Sequence, residues 1–457
     1  MNAIKSPYDL AIIGAGMGGL ALGVILSARG KRVLILEKNP WVGGRVTSYE
    51  RDGFQIDLGA HVISRSDKGP LGEILRLAGK EKKIAFQYVR PLTSFRGKTF
   101  AFPRGLQGLI PAGDFQDLTR MLQAMTSLSD AETHELDELD LRSYTQRFTR
   151  NPLSVSCINN ICMVYVCLPY FEASAGEFIR CLKWEAGARA SGYPEGGCRA
   201  ISEALAEFIR EKGGRILTTA PAAKIIVRDH AVRGLESPGA FFPTQLIVSN
   251  ADPYHTVIEL IGREFFPDDY LDKIQSLSFS YSMLNLRLAF KEPVASWKLL
   301  THIGSDNPEL YEENIREGGV PEDVSIFCPV PSNFSPTVAP PGKQLLSAGA
   351  IIPFGTSNLE KWQEAIMNTL DRLIPGYRDK LLWVEKTTPA DINQAVGERG
   401  AVIGAGQSTS QVGKNRLPLE TPVQGLYLCG SEAGGSGVGM ELAIKSAQEL
   451  AEIISKQ

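Results

Sequence analysis

The 457-residue sequence predicts an α/β fold, in which a parallel sheet is joined to a second, discontinuous α+β domain. Two observations lead to this class. An apolar run at residues 9–13 ends in a glycine-rich turn that opens a helix, and a second apolar run, 32–36, follows that helix. Strand-type and helix-type patterns then alternate through the middle of the chain and return at its C-terminal end.

The first turn has the spacing G-x-G-x-x-G, formed by Gly14, Gly16 and Gly19. Gly14 permits the tight turn, Gly16 lets backbone approach a pyrophosphate, and Gly19 lets the helix pack closely on the strand. The N–H groups at the start of the helix, at Met17 and Gly18, would then point at the anion. These residues together predict a Rossmann-type dinucleotide site.

The second apolar run ends in an acid, Glu37, followed by Lys38, and both are predicted to contact the cofactor. Its distance from the turn is about the 20 residues expected for a carboxylate that binds a ribose hydroxyl. Two other interpretations of this segment are a glycine-rich helix start without a ligand and a signal peptide. A signal peptide needs a basic n-region, an apolar core and a small-residue cleavage site, whereas glycines interrupt this segment. The dinucleotide site is therefore favoured.

A second glycine element, Gly43, Gly44 and Arg45, follows soon after. Its glycines allow another close backbone approach, and the arginine supplies paired donors for phosphate oxygens. This element resembles the FAD-binding signature of the flavin amine oxidase and phytoene desaturase superfamily. The resemblance implies an FAD-dependent oxidoreductase.

The next strand-type segment follows the turn at Asp52–Gly53. In the superfamily this strand and the turn after it run past the flavin ring. The resemblance therefore implies that Gly59, Ala60 and His61 lie at the cofactor. A structural, hydrogen-bonded histidine is the other interpretation of His61.

Composition and charge exclude several classes of protein. A net charge of −3 gives no basic footprint for nucleic acid. The seven cysteines form no C-x-x-C pair, and this odd number without a signal segment is expected of reduced thiols in a cytoplasmic protein. The five histidines lie far apart in the sequence, so no metal site is predicted.

Residues 64–190 have a different character. Residues 95–100 have the pattern of a hairpin, and one apolar face of a predicted helix is followed by the apolar run Ile161–Phe171, which is too short to span a bilayer. The apolar face and the run are either core or the lining of an apolar tunnel, or they touch a membrane shallowly. The sequence thus predicts at most a reversible, peripheral membrane contact. The residues of the helix face are Leu118, Met121, Leu122, Met125 and Leu128.

The cofactor domain resumes in residues 193–227, which resemble the phytoene desaturase type of the superfamily: one Gly-Gly turn starts a helix and another ends it. The resemblance implies that Ala223 or Lys224 contacts the adenine through its backbone. It also implies a cofactor contact from Asn250, in the Ser-Asn-Ala-Asp-Pro segment at 249–253.

Strand-type runs between residues 279 and 351 and a helix-type run at 359–373 predict the second, substrate-facing sheet. In flavin amine oxidases a lysine precedes a turn like the Lys-Glu-Pro at 291–293 and holds water beside the flavin. Its place holds Asn285 in this sequence, with Arg287 as the nearest cation. This departure weakens the resemblance to amine oxidases.

The C-terminal segment returns to the cofactor. A strand at 425–430 enters a glycine-rich turn, and a helix begins near residue 440. The resemblance implies that this helix directs its N-terminus at the flavin, where free N–H groups stabilise negative charge on the reduced ring. It also implies cofactor contacts from Gly430, Ser431, Glu432, Gly439, Met440 and Glu441.

These observations predict a Rossmann-type FAD-binding domain of residues 1–64, 191–265 and 415–457. Residues 65–190 and 266–414 are predicted to form the substrate-binding domain, a mixed sheet with helices.

The predicted function is hydride transfer between a C–H bond of an apolar, isoprenoid-like or polyene-like substrate and flavin N5. His61 or Glu441 would take the accompanying proton. Three alternatives stay open: a saturase or redox-dependent isomerase of the same family, an amine or protoporphyrinogen-type oxidase, and a non-catalytic prenyl-binding protein. The sequence leaves the electron acceptor open between a quinone, oxygen and others.

Overall fold

The computed structural model describes residues 7–59 and 62–456, so Ala60 and His61 lie outside the described residues. The helices are α1 Met17–Ala28, α2 Pro70–Leu77, α3 Ala112–Ser127, α4 Asp130–Glu135, α5 Leu141–Thr145, α6 Pro152–Tyr165, α7 Ala175–Ala188, α8 Arg199–Glu211, α9 Asp268–Ser276, α10 Pro308–Arg316, α11 Pro331–Phe334, α12 Leu359–Leu373, α13 Pro389–Val396 and α14 Gly439–Ser455. The strands are β1 Leu10–Ile13, β2 Val33–Leu36, β3 Ser48–Arg51, β4 Phe54–Asp57, β5 Phe86–Tyr88, β6 Leu92–Phe95, β7 Lys98–Phe100, β8 Gly192–Pro194, β9 Arg215–Leu217, β10 Lys224–Arg228, β11 Ala231–Ser237, β12 Ala240–Pro243, β13 Ile247–Ser249, β14 Ser282–Phe290, β15 Leu299–His302, β16 Ile326–Pro329, β17 Gln344–Ile352, β18 Leu381–Thr387 and β19 Leu426–Leu428.

A five-stranded sheet has the order β19-β13-β1-β2-β9, and all of its strands are parallel. Strands β1 and β2 are buried along their whole length, which explains their unbroken apolar sequences. Helix α1 packs against α8 and α14. A Cβ atom at Gly23 of α1 would lie 2.7 Å from Ile209 Cδ1, so glycine is what allows α1 to approach α8 so closely. The predicted α/β class is confirmed.

A seven-stranded mixed sheet has the order β18-β14-β17-β16-β15-β6-β7. Its long central pair, β14 and β17, runs antiparallel from Ser282 opposite Ile352 to Phe290 opposite Gln344. Helix α12 packs on β14 and β17 through its buried Trp362. The strands of this sheet come from residues 92–100 and 282–387. The exact boundaries of the two domains stay a prediction.

Helices α3, α6 and α7 share one apolar core beside the larger sheet. Leu118, Met121 and Met125 of α3 are fully buried in it, so these three members of the predicted helix face are core and are not available to a membrane. The apolar run Ile161–Phe171 is not one element, because α6 ends at Tyr165. Within the part of the chain that the structure describes, no helix is both long and apolar enough to cross a bilayer.

Candidate functional site

The two large sheets border one cavity of about 1570 Å³. The carboxyl ends of β1 and β2, and the residues that follow β13 and β19, contribute to its lining, as expected for a ligand site at the ends of parallel strands. Pockets for a single drug-sized ligand measure roughly 300–1,000 Å³. This cavity therefore has room for a dinucleotide and a second molecule.

The two glycine elements of the sequence lie directly against each other at one end of this cavity. The N–H of Gly43 donates to the carbonyl of Ala15 over 2.7 Å, and Gly43 forms a parallel bridge with Gly16. Gly43 and Gly44 have φ values of 104° and 58°, which only glycine adopts at little cost. The cavity lining in this region includes Gly14, Gly16, Met17, Gly18, Gly43 and Gly44.

Gly19 does not line the cavity. A Cβ atom there would lie 2.1 Å from the carbonyl oxygen of Gly14, so this glycine lets the helix pack tightly on its own turn. That is the packing role expected of the third glycine in such a turn.

Asn250 packs on the glycine turn from the side of β13. Its N–H donates to the carbonyl of Ile13 over 2.8 Å. A Cβ atom at Gly16 would lie 2.8 Å from Asn250 Nδ2, and one at Gly18 would lie 2.2 Å from Asn250 Oδ1. Any side chain at either glycine would therefore displace Asn250 as well as a ligand in the turn.

Glu37 is buried at the end of β2 and lines the cavity. Its Oε2 accepts from the N–H of Ala15 over 2.8 Å, and its Oε1 accepts from the backbone and side chain of Asn39 over 2.8 and 3.0 Å. A carboxylate offers about four acceptor positions. Acceptor capacity therefore remains for a ribose hydroxyl. Lys38, beside it in the lining, donates to the carbonyl of Gln394 over 3.2 Å.

The predicted adenine contact lies on the segment that leads into β10. Pro221 and Ala222 line the cavity. Their neighbour Ala223 donates its N–H to the carbonyl of Glu236 over 2.8 Å, and Lys224 is exposed. A role for Ala223 or Lys224 at the adenine stays a prediction.

Arg45, in the cavity lining, pairs with a segment that is 353 residues away in the chain. Its Nη2 donates to Glu398 Oε2 over 2.5 Å and to the carbonyl of Ala401 over 2.9 Å, and its Nε donates to the same carbonyl over 3.1 Å. Five guanidinium N–H groups are available in an arginine, so donors remain for a phosphate. Gly59 lines the cavity next to it, where a Cβ atom would lie 3.0 Å from Arg45 Cβ.

The segment that receives Arg45 has an unusual backbone. Four consecutive residues, Gly397, Glu398, Arg399 and Gly400, have φ values of 82°, 57°, 52° and 68°. For the two non-glycine residues this conformation costs on the order of 1–3 kcal/mol each, so the surrounding structure must hold it in place. The ion pair with Arg45 and the tight fit at Gly400, where a Cβ atom would lie 2.3 Å from the Pro389 carbonyl oxygen, supply that constraint.

Glu432 is an acid in the cavity lining, close to the Arg45 ion pair. Burial, and then the neighbouring Glu398 carboxylate, raise the pKa of Glu432 well above its ordinary value. The hydroxyl of Ser431 donates to Glu432 Oε1 over 2.5 Å. Gly430 and Ser431 line the same region. A raised pKa means that Glu432 is uncharged over a wider pH range than a free glutamate.

Glu441 lies in the first turn of α14, and its carboxylate borders the cavity together with Gly439 and Met440. Arg65 Nε donates to Glu441 Oε1 over 2.6 Å, which orients the carboxylate. The Arg65 guanidinium also lies 4.7 Å from the ring centre of Trp184. A role for Glu441 in proton transfer stays a prediction.

Position 285 holds an amide that borders the cavity. The hydroxyl of Ser347 donates to Asn285 Oδ1 over 2.7 Å. Arg287, two residues further along β14, is used elsewhere: its guanidinium donates to the carbonyls of Asp57 and Leu58 at the end of β4, and to the Thr387 hydroxyl. The nearest cation on this strand thus holds β4 against the larger sheet.

Away from the glycine end the cavity has mostly apolar walls. They come from α3, α6 and α7 and from the larger sheet. Cys167 and Cys181 also line the cavity, and burial raises the pKa of the Cys167 thiol to about 12. The apolar lining includes Phe102, Leu122, Val164, Leu182, Phe279, Met283, Phe327 and Ile351. Of the predicted helix face, Leu122 thus lines the cavity.

Three groups at the site were not found by sequence reasoning. They are the strained Gly397–Gly400 segment, the Arg65 partner of Glu441, and Glu185 on α7, which accepts hydrogen bonds from Ser64 and from two backbone N–H groups. The paired glycines at 397 and 400 were a local signal for the first. The other two depend on contacts between distant parts of the chain.

A family model described as flavin containing amine oxidoreductase matches residues 17–455. The chain belongs to this family. Its cofactor is therefore FAD, and it is an FAD-dependent oxidoreductase. The described residues fit FAD, because two facing glycine elements leave space for backbone to approach a pyrophosphate and Glu37 lines the same cavity with spare acceptor capacity.

Three similar proteins support the family and the fold. The chain is 27% identical to the lycopene-forming phytoene desaturase of Pantoea ananas, over 83% of this chain and 85% of the relative. It is 25% identical to a prolycopene isomerase of an Oncidium hybrid, over 94% of this chain and 81% of the relative. The crystal structure of an oxidoreductase from Methanosarcina mazei has the same fold, with a TM-score of 0.78, 22% identity, and coverage of 97% of this chain and 99% of that chain.

Proposed function

We propose that this flavoenzyme oxidises or reduces a carbon–carbon bond of an apolar, polyene-like or isoprenoid-like substrate. The observation that carries the proposal is the apolar part of the cavity, which continues from the glycine end between α3, α6, α7 and the larger sheet. A long hydrocarbon buries its surface there, at about 25 cal/mol per Å² of apolar area removed from water. Relatives whose names include phytoene and prolycopene support the same substrate class.

Bound FAD supplies a ring that exchanges a hydride with a substrate C–H bond. The residues proposed to hold the cofactor are those of the two glycine elements, Glu37, Arg45, Asn250 and the segment from Gly430 to Glu432. The start of α14, at Gly439 and Met440, offers free N–H groups for negative charge on the reduced ring. Arg65 orients the Glu441 carboxylate, which is the group we propose to take or return a proton.

An amine as substrate is less well supported. Flavin amine oxidases carry a lysine at the position that we align with Asn285. The nearby Arg287 donates its hydrogen bonds to the backbone carbonyls of Asp57 and Leu58 at the end of β4. A redox-dependent isomerase is the second candidate, because the chain is similar to a prolycopene isomerase along most of its length. Such an enzyme would rearrange its substrate without a net change in the flavin.

The test is anaerobic flavin bleaching against polyenes, porphyrinogens and amines. We expect a polyene to bleach the flavin, and an amine to leave it oxidised. Glu441→Gln should slow bleaching by on the order of 10²-fold, as for loss of a general acid or base, and retain FAD. Glu452→Gln, at an exposed position of the same helix, is the matched control. Bleaching by amines alone would contradict the proposal, and product rearrangement without bleaching would favour the isomerase.

A further inference from the structure

Four arginines that line the cavity have no carboxylate within 4.0 Å among the described residues: Arg399, whose guanidinium lies over the Phe279 ring, and three that come from residues 90–189. Arg90, Arg104 and Arg189 are all exposed, and all three border the cavity. Arg189 Nε donates to the carbonyl of Ala186 over 3.3 Å. Among the residues that the structure describes, no carboxylate lies within 4.0 Å of any of these three guanidinium groups. We call Arg90, Arg104 and Arg189 the arginine trio.

Two strand pairings relate the chain segments that carry the arginine trio. The N–H of Val89 donates to the carbonyl of Ser191 over 2.9 Å, which continues the β5–β8 pairing and sets Arg90 beside the chain that follows Arg189. In the β6–β7 hairpin Thr93 lies opposite Phe100. Arg90 precedes β6 and Arg104 follows β7, so both lie beyond the open end of this hairpin.

The arginine trio borders the apolar part of the cavity. Phe102 precedes Arg104 by two residues, and Leu182 and Ala186 precede Arg189 on α7 and face the same space. Glu185, on α7, is an acid in the same lining. Its carboxylate oxygens accept from the Ser64 hydroxyl over 3.1 Å and from the N–H groups of Ser191 and Arg65 over 3.2 and 3.4 Å. These bonds hold the Glu185 carboxylate against Ser64 and Ser191, and no guanidinium of the trio lies within 4.0 Å of it, so the trio can bind a ligand.

We propose that the substrate is an apolar chain that ends in a phosphate group, and that the arginine trio binds this phosphate at the mouth of the cavity. Guanidinium groups match phosphate oxygens in shape and charge, and several of them suit a group that carries close to two negative charges. An ammonium group at the same place would be repelled. This inference rests on the proposed function, since the apolar part of the cavity must hold the chain.

The test compares geranylgeranyl monophosphate with geranylgeraniol by titration calorimetry on the FAD-loaded protein. We expect the phosphate ester to bind about tenfold or more tightly than the alcohol at low salt, and the difference to shrink at high salt because exposed charges are screened. The variant Arg90→Gln/Arg104→Gln/Arg189→Gln should lose this preference and keep its affinity for the alcohol. Arg228→Gln, at an exposed position on β10 outside the cavity, should behave like wild type.

The outcomes separate this inference from the proposed function. If the wild-type protein binds the alcohol and binds the ester no more tightly, the inference is wrong and the proposed function stands. If it binds neither, both fail. A bilayer offers the same phosphate chemistry, so flotation with phosphatidylcholine vesicles, with and without phosphatidylglycerol, is the second arm. If the triple variant loses binding to the anionic vesicles but keeps its preference for the soluble ester, the trio serves lipid headgroups and the inference is overturned.

Discussion

Replacing Arg287 by methionine tests whether a buried cation joins the larger sheet to the cofactor site. Arg287 is 1% exposed. Its Nη2 donates to the carbonyls of Asp57 and Leu58, each over 2.8 Å, its Nε donates to Asp57 over 3.1 Å, and a further bond reaches Thr387. Methionine fills similar space but donates nothing. Each of the two carbonyls that loses this donor costs about 1–3 kcal/mol, so the free energy of unfolding should fall by about 2–6 kcal/mol.

The assay is urea unfolding of Arg287→Met, with Arg228→Met as the control at an exposed position. Because the two carbonyls directly precede Gly59 in the cavity lining, FAD should also dissociate faster from Arg287→Met than from the control. Arg287→Lys should recover only part of the loss, since lysine cannot reproduce the bidentate geometry. A free energy of unfolding for Arg287→Met within about 0.5 kcal/mol of wild type, the range of ordinary surface substitutions, would refute this reasoning.

Two further predictions concern the cofactor end of the cavity. Gly16→Val should abolish FAD retention, because the valine Cβ would lie 2.8 Å from Asn250 Nδ2. The control Gly113→Val, at a position where a Cβ atom would have no neighbour within 4 Å, should purify with FAD. A folded Gly16→Val protein that is still yellow would contradict this prediction. The pKa of Glu432 is raised in the folded protein. Its contribution to the free energy of unfolding should therefore be fully present below the ordinary glutamate pKa of 4.5, and should be lost as the pH rises from there through the raised value. Unfolding of Glu432→Gln measured across this range should lack that part of the decline, and a decline equal to that of wild type would show that Glu432 does not titrate as expected.

The local features of the cofactor site could be predicted from the sequence. Positive φ values at Gly14, Gly43 and Gly44 are conformations that glycine supplies at little cost, so the spacing of these residues already indicated two turns. Apolar runs without alternation indicated β1 and β2 as buried parallel strands. Such signals are local, because backbone preference and burial pattern act on residues that are near neighbours in the chain.

The partners of the charged groups were decided by the tertiary structure. Arg45 pairs with Glu398 and Glu441 pairs with Arg65, across separations of 353 and 376 residues. On α3, Met121 is core and Leu122 lines the cavity, although both fitted the same predicted helix face. Neighbouring apolar residues look alike in a periodic pattern, and only the packing of α3 against α6 and α7 separates them. Which side chains meet at the cavity therefore depends on how distant segments pack, because no local preference encodes contacts across hundreds of residues.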